Sequence, residues 1–120
     1  MSEGKTVRIY HNPRCSTSRT VLGLLRDAGI EPEVVEYLKT GWTRGTLNEI
    51  LARARLEPKD ILRRKEPLAR DLKLETATNE AILEAMIADP VLVERPLVVT
   101  PRGAVLCRPV ERVWEVVDRS

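Results

Sequence analysis

The first third of the chain carries a hydrophobic pattern that predicts a strand, a helix and a second strand. Val7-Arg8-Ile9-Tyr10 is short, β-rich and alternating, as a half-buried strand requires. From Ser16 onward Val21, Leu22, Leu25 and Ala28 recur at helical spacing, and Gly29 supplies a stop. Glu33-Val34-Val35-Glu36-Tyr37-Leu38, entered through Pro32, reads as the next strand. A strand, a helix and a strand make one βαβ unit, so parallel pairing with a right-handed crossover is expected.

The period then changes. Thr46-Leu47-Asn48-Glu49 matches a capping box with Thr46 as N-cap, followed by an apolar stripe of Leu47, Ile50, Leu51 and Ala54. Pro58 is expected to open a short helix with Ile61 and Leu62, and a turn is expected from Pro67 to Leu74. Thr78-Asn79-Glu80 begins a helix carrying Ala81, Ile82, Met86 and Ile87, closed by Asp89-Pro90. Residues from about 43 to 88 thus read as an all-helical insertion.

Strand patterning returns in Pro96-Leu97-Val98-Val99-Thr100 and Ala104-Val105-Leu106-Cys107, around the turn Thr100-Pro101-Arg102-Gly103. A last helix is expected from Pro109, with Val110, Val113, Trp114 and Val117 on one face. The order predicts an α/β fold: a four-stranded mixed sheet with flanking helices, thioredoxin-like, interrupted by the helical insertion. We read residues 1–120 as a single domain, its core at about 5–40 and 91–120.

Composition narrows the class without naming a chemistry. With 42% hydrophobic and 32% charged residues among 120, the chain is an ordinary globular sequence. It has no Phe, so its core must rest on Val, Leu and Ile. A net charge of +2 argues for neither nucleic acid nor an acidic membrane surface. There is no secretory leader pattern and no long apolar run, so a cytoplasmic protein, expected as a monomer, is the simplest reading. Two cysteines and one histidine make neither a disulfide framework nor a conventional zinc site.

The chemistry concentrates in Tyr10-His11-Asn12-Pro13-Arg14-Cys15-Ser16-Thr17-Ser18-Arg19. Cys15 falls at a strand-to-helix turn, where unpaired amide N–H groups and the helix dipole favour both a thiolate and an oxyanion. Most free cysteines are small buried hydrophobes. The polar neighbours and turn position favour a nucleophile here, activated by the helix end and by His11, Arg14 or Arg19. The pattern is Cys-x-x-Ser, so no resolving thiol is present at the turn. His11 either stabilises the thiolate or shapes the loop with hydrogen bonds. Asn12 and Pro13 are expected to shape the turn, and Cys107 to be buried packing.

Arg95 precedes Pro96 where thioredoxin-like folds place a cis-proline beside the redox cysteine. Arg108 ends the following strand, and Arg63 comes from the insertion. Guanidinium groups suit a tetrahedral oxyanion because they stay charged and offer forked donors. Taken singly, each of these arginines would be a solvated surface residue; predicted convergence on Cys15 raises them.

Four stretches together resemble the glutaredoxin-coupled arsenate reductases: Ile9 to Cys15 with Ser18-Arg19, Leu62-Arg63 with Lys65-Glu66-Pro67, Glu94 to Pro101, and Leu106-Cys107-Arg108-Pro109. The resemblance spans nearly the whole chain. It implies that Cys15 is the arsenate nucleophile, that Arg63, Arg95 and Arg108 hold the oxyanion, and that His11 promotes thiolate formation. It also places Asn12, Ser18 and Arg19 in the anion loop. It implies glutathione as co-substrate and glutaredoxin as partner, with no bound cofactor or metal. The chain stops sooner after Trp114 than well-characterised members, and Gly41-Trp42 stands where relatives commonly carry two prolines.

Two other classes share this architecture. A thioredoxin-like transcription regulator that binds RNA polymerase typically carries Cys-x-x-Cys, against which Ser18 argues. A glutathione-dependent thiol reductase would use the same cysteine without needing three arginines.

Overall fold

The computed structural model describes residues 7–118, so the ends of the domain reading at 1–6 and 119–120 lie outside the described residues. The chain forms two compact units, one from residues 7–37 and 95–118 and the other from Leu38–Glu94.

The first unit holds β1 (Arg8–His11), α1 (Ser16–Asp27), β2 (Glu33–Glu36), β3 (Leu97–Thr100) and β4 (Gly103–Leu106). The sheet order is β2-β1-β3-β4. β1 and β2 run parallel, with Arg8 opposite Glu33 and His11 opposite Glu36. β3 lies antiparallel to both β1 and β4. This is the expected thioredoxin-like mixed sheet. Its core is aliphatic: Ile9, Val21, Leu25, Val98 and Val113 are fully buried, and Cys107 lies among them. Burying each such side chain contributes about 1.5–3 kcal/mol. Helix α1 ends where Gly29 adopts φ +83°, a conformation that favours glycine. The Gly29 N–H then reaches the Arg26 carbonyl at 3.0 Å and the Ile30 N–H the Leu25 carbonyl at 2.9 Å, closing a Schellman motif.

The second unit contains α3 (Arg44–Ala54), α4 (Pro67–Asp71), α5 (Asn79–Ala88) and three 3₁₀ turns, at Pro58–Ile61, Leu74–Thr76 and Pro90–Leu92. Leu47, Ile61, Met86 and Leu92 are fully buried. Arg44 on α3 pairs with Glu80 and Glu84 on α5.

Several expectations are corrected. The strand through Leu38 stops at Glu36, and Tyr37–Thr40 forms a short helix, α2. β2 pairs only with β1, whose last partner position is His11, so Tyr37 has no ladder to join. The N-cap of α3 is Thr43, not Thr46: the Thr43 Oγ1 accepts the Thr46 N–H at 3.1 Å. The helix begins a turn earlier because the buried Trp42 and Leu47 stand at the two positions of a hydrophobic staple. The expected turn at 67–74 is helical, opened by Pro67 at its first position.

The insertion is not all-helical either. Leu62 and Val93 form an antiparallel bridge, flanked by bonds from Arg63 N–H to the Leu92 carbonyl and from Glu94 N–H to the Ile61 carbonyl, each 2.8 Å. Buried extended backbone must pair, and these two segments pair with each other. The final helix is 3₁₀, over Val110–Glu115. Val110, Val113 and Val116 repeat every three residues, and a 3₁₀ turn stacks that spacing on one side.

Candidate active site

β1 ends at His11 and α1 begins at Ser16, so residues 12–15 must turn the chain. Asn12 builds that turn. Its Oδ1 accepts the Arg14 N–H at 2.9 Å and its carbonyl accepts the Cys15 N–H at 3.0 Å, an Asx-type arrangement. Cys15 is therefore delivered to the N-cap of α1 in an extended conformation, its carbonyl accepting the Arg19 N–H at 3.0 Å. It makes no side-chain cap bond of the usual kind. The N–H groups of Ser18 and Thr17 act instead on its sulfur, as orphan amides of a first helical turn can.

The Cys15 thiol sits below its ordinary value. Burial is the largest single influence and pushes it up. The Ser18 N–H, the charge and hydrogen bond of Arg95, and the Thr17 N–H together outweigh burial. At 9% exposure the residue is largely shielded from solvent. None of the expected activators His11, Arg14 and Arg19 is among the groups that shift its thiol.

His11 is buried, and its Nδ1 lies 2.6 Å from the Ser18 Oγ. The Asn12 N–H donates to the same oxygen at 3.1 Å. Burial holds His11 below the ordinary histidine value; Glu36 pulls upward while Arg26 and Arg19 push further down. A neutral ring accepting the Ser18 O–H through Nδ1 satisfies both groups. His11 thus braces the loop from inside. The Ser18 hydroxyl, expected among the anion-contacting groups, is fully buried in this network, and only the Ser18 N–H faces the sulfur.

The four other arginines of the motif set stand in different states. Arg95 precedes a cis peptide bond to Pro96, as expected, and its charge and hydrogen bonding draw the Cys15 thiol down. Arg108 is exposed and donates from Nη1 to the Arg95 carbonyl at 3.0 Å, and its own bond to Pro109 is cis as well. Arg19 donates from Nη1 to the Pro13 carbonyl at 2.8 Å, closing over the loop. Arg63 belongs to the Leu38–Glu94 unit, where its Nη1 pairs with Glu66 at 3.5 Å.

Cys107 lies in the core, and burial pushes its thiol up to about 12. Among the described residues no three His, Cys, Asp or Glu gather as a metal site. No helix is long and apolar enough to cross a membrane. A separate cavity of about 440 Å³ in the helical unit is lined by Arg64, Ala69, Arg70, Lys73, Glu75 and Thr76, none of them in the motif set.

The model of the ArsC family matches residues 10–116. The chain belongs to the ArsC family. This ArsC protein is 48% identical to the arsenate reductase ArsI1 of Synechocystis sp., across 98% of this chain and 83% of that one. It is 44% identical to the uncharacterized protein YfgD of Escherichia coli, across 94% of this chain and 98% of that one. The solved arsenate reductase from Vibrio cholerae matches with a TM-score of 0.88 at 39% identity, covering 92% of this chain and 97% of that one. Within the ArsC chain, two features had no sequence signal: the Arg108 bond to the Arg95 carbonyl and the inward turn of the Ser18 hydroxyl. Both depend on side-chain direction, which spacing alone does not encode.

Proposed function

We propose that this ArsC protein reduces arsenate to arsenite through the Cys15 thiolate. The observation that carries the reading is Cys15 itself. It is an N-cap cysteine held below its ordinary pKa by the Ser18 N–H, Arg95 and the Thr17 N–H despite burial. The same groups that favour sulfur anion favour an oxyanion at that place.

In this proposal the thiolate attacks arsenic(V), one oxygen leaves as water after protonation, and a Cys15–S–As bond forms. Glutathione then attacks the adduct, and glutaredoxin resolves the mixed species. Overall two thiols give two electrons: arsenate becomes arsenite, the thiols become one disulfide, and one water is released. Arg63, Arg95 and Arg108 hold the oxyanion by the family resemblance, with the amides of α1. No bound cofactor or metal is required, because these groups can neutralise the developing charge. The reducing cytoplasm is the proposed setting, where glutathione supplies the thiol.

The test is NADPH oxidation by the purified protein with arsenate, glutathione, glutaredoxin and glutathione reductase. Wild type should turn over and Cys15→Ser should fall to background. Equal background rates for both would refute the reading. Reduction of organic disulfides in place of arsenate would favour the thiol reductase.

A further inference from the structure

We infer that Arg14 receives the carboxylate of the incoming thiol, selecting a negatively charged co-substrate for the second half of the reaction; this rests on the reading that an external thiol completes turnover. The motif arginines of this unit other than Arg14 are already engaged. Arg95 acts on the Cys15 thiol, Arg108 on the Arg95 carbonyl, and Arg19 on the Pro13 carbonyl. Arg14 differs: it is exposed, and its guanidinium makes no hydrogen bond or ion pair with any described residue. The loop of Cys15 therefore carries an exposed cation that no described residue pairs.

Its placement is nonetheless fixed. The Arg14 N–H donates to Asn12 Oδ1 at 2.9 Å, which holds the backbone at this position. Its Cα is about 3.8 Å from that of Cys15, as for any consecutive pair. A thiol attacking the Cys15 adduct must bring its sulfur to this point and its tail to the rim around it. The adduct is anionic and so is a carboxylate-bearing thiolate, so the approach is favoured by a cation at the rim that has no anionic partner. Arg14 is that cation, and its planar fork matches a carboxylate.

The inference is tested on Cys15 without arsenate. The thiolate attacks one sulfur of an added disulfide, forming Cys15–S–S–R and releasing the other half as a thiolate. Two probes are compared: glutathione disulfide, which carries carboxylates, and the neutral 2-hydroxyethyl disulfide. Arg14→Ala should slow the first reaction about tenfold at low salt, with the loss shrinking as salt screens it. The neutral probe should keep its rate, and Arg14→Lys should restore much of the loss. In the coupled assay the KM for glutathione should rise about tenfold while the KM for arsenate holds. Equal slowing of both probes, or no slowing of either, overturns the inference. So does a rise in the arsenate KM alone. If wild type gives no arsenate turnover yet the two probes are discriminated through Arg14, the proposed function fails and the thiol selection stands.

Discussion

Cys15 and Arg95 form one electrostatic unit, because burial of the sulfur would silence it without the opposing N–H groups and guanidinium. The pH dependence has a definite sign. Thiolate, the reactive form, is populated from below the ordinary thiol range, so alkylation of Cys15 by iodoacetamide should reach half its maximum at a pH under 9.0. Arg95→Met removes a charge and a hydrogen bond that both favour thiolate, so the midpoint should move upward. Arsenate turnover should fall about a hundredfold or more, the usual loss on deleting one oxyanion donor. His11 sets a different dependence. Its folded pKa lies below its unfolded value because burial penalises the cation. The unfolded chain therefore binds the extra proton first as pH falls from about 6.5, and stability declines through that window. His11→Asn, measured by urea melts between pH 7 and 5, should show a flatter decline. An unchanged slope would mean that other groups govern acid sensitivity.

At the scale of elements, the sequence was most legible where period and burial agree. β1, α1 and the β3–β4 hairpin lie within a residue or two of their expected ends, since strict alternation or a buried stripe has one solution there. Legibility failed where a long-range partner decided the local structure. Tyr37 and Leu38 look like strand, but the ladder runs out at His11. Leu62 and Val93 give no strand signal alone, and only their mutual burial pairs them. For the candidate site, the placement of Cys15 at a turn and of Arg95 before a cis proline was readable from sequence. The turning of Ser18 inward was not, because helical spacing gives a face and not a hydrogen bond. Thr43 offers a quantitative check on the corrected helix start. Thr43→Ala should cost about 1 kcal/mol as an N-cap loss, while Glu49→Ala, outside the cap, should change stability by less than about 0.5 kcal/mol. Chemical denaturation of the two variants distinguishes them, and the reverse order would restore Thr46 as the cap.

Across the whole molecule the two cysteines have opposite fates. Cys107 is sealed in the aliphatic core with its thiol raised to about 12, whereas the Cys15 thiol is lowered and its residue keeps 9% of its surface exposed. Cys107→Ala should retain arsenate turnover within about twofold and lose about 1–2 kcal/mol of stability from the small void. Complete loss of turnover in a folded Cys107→Ala protein would mean that Cys107 takes part in the redox cycle.

The sealed Cys107 also makes the native chain a reporter of its own breathing. A thiol dye should attach once, quickly, at Cys15, and a second time only when the core around Ile9, Val98 and Val113 opens. The slow second attachment then times that opening in the unmodified protein, and its ratio to the rate in denaturant gives the opening free energy. Prompt double labelling of native protein would contradict the sealed core.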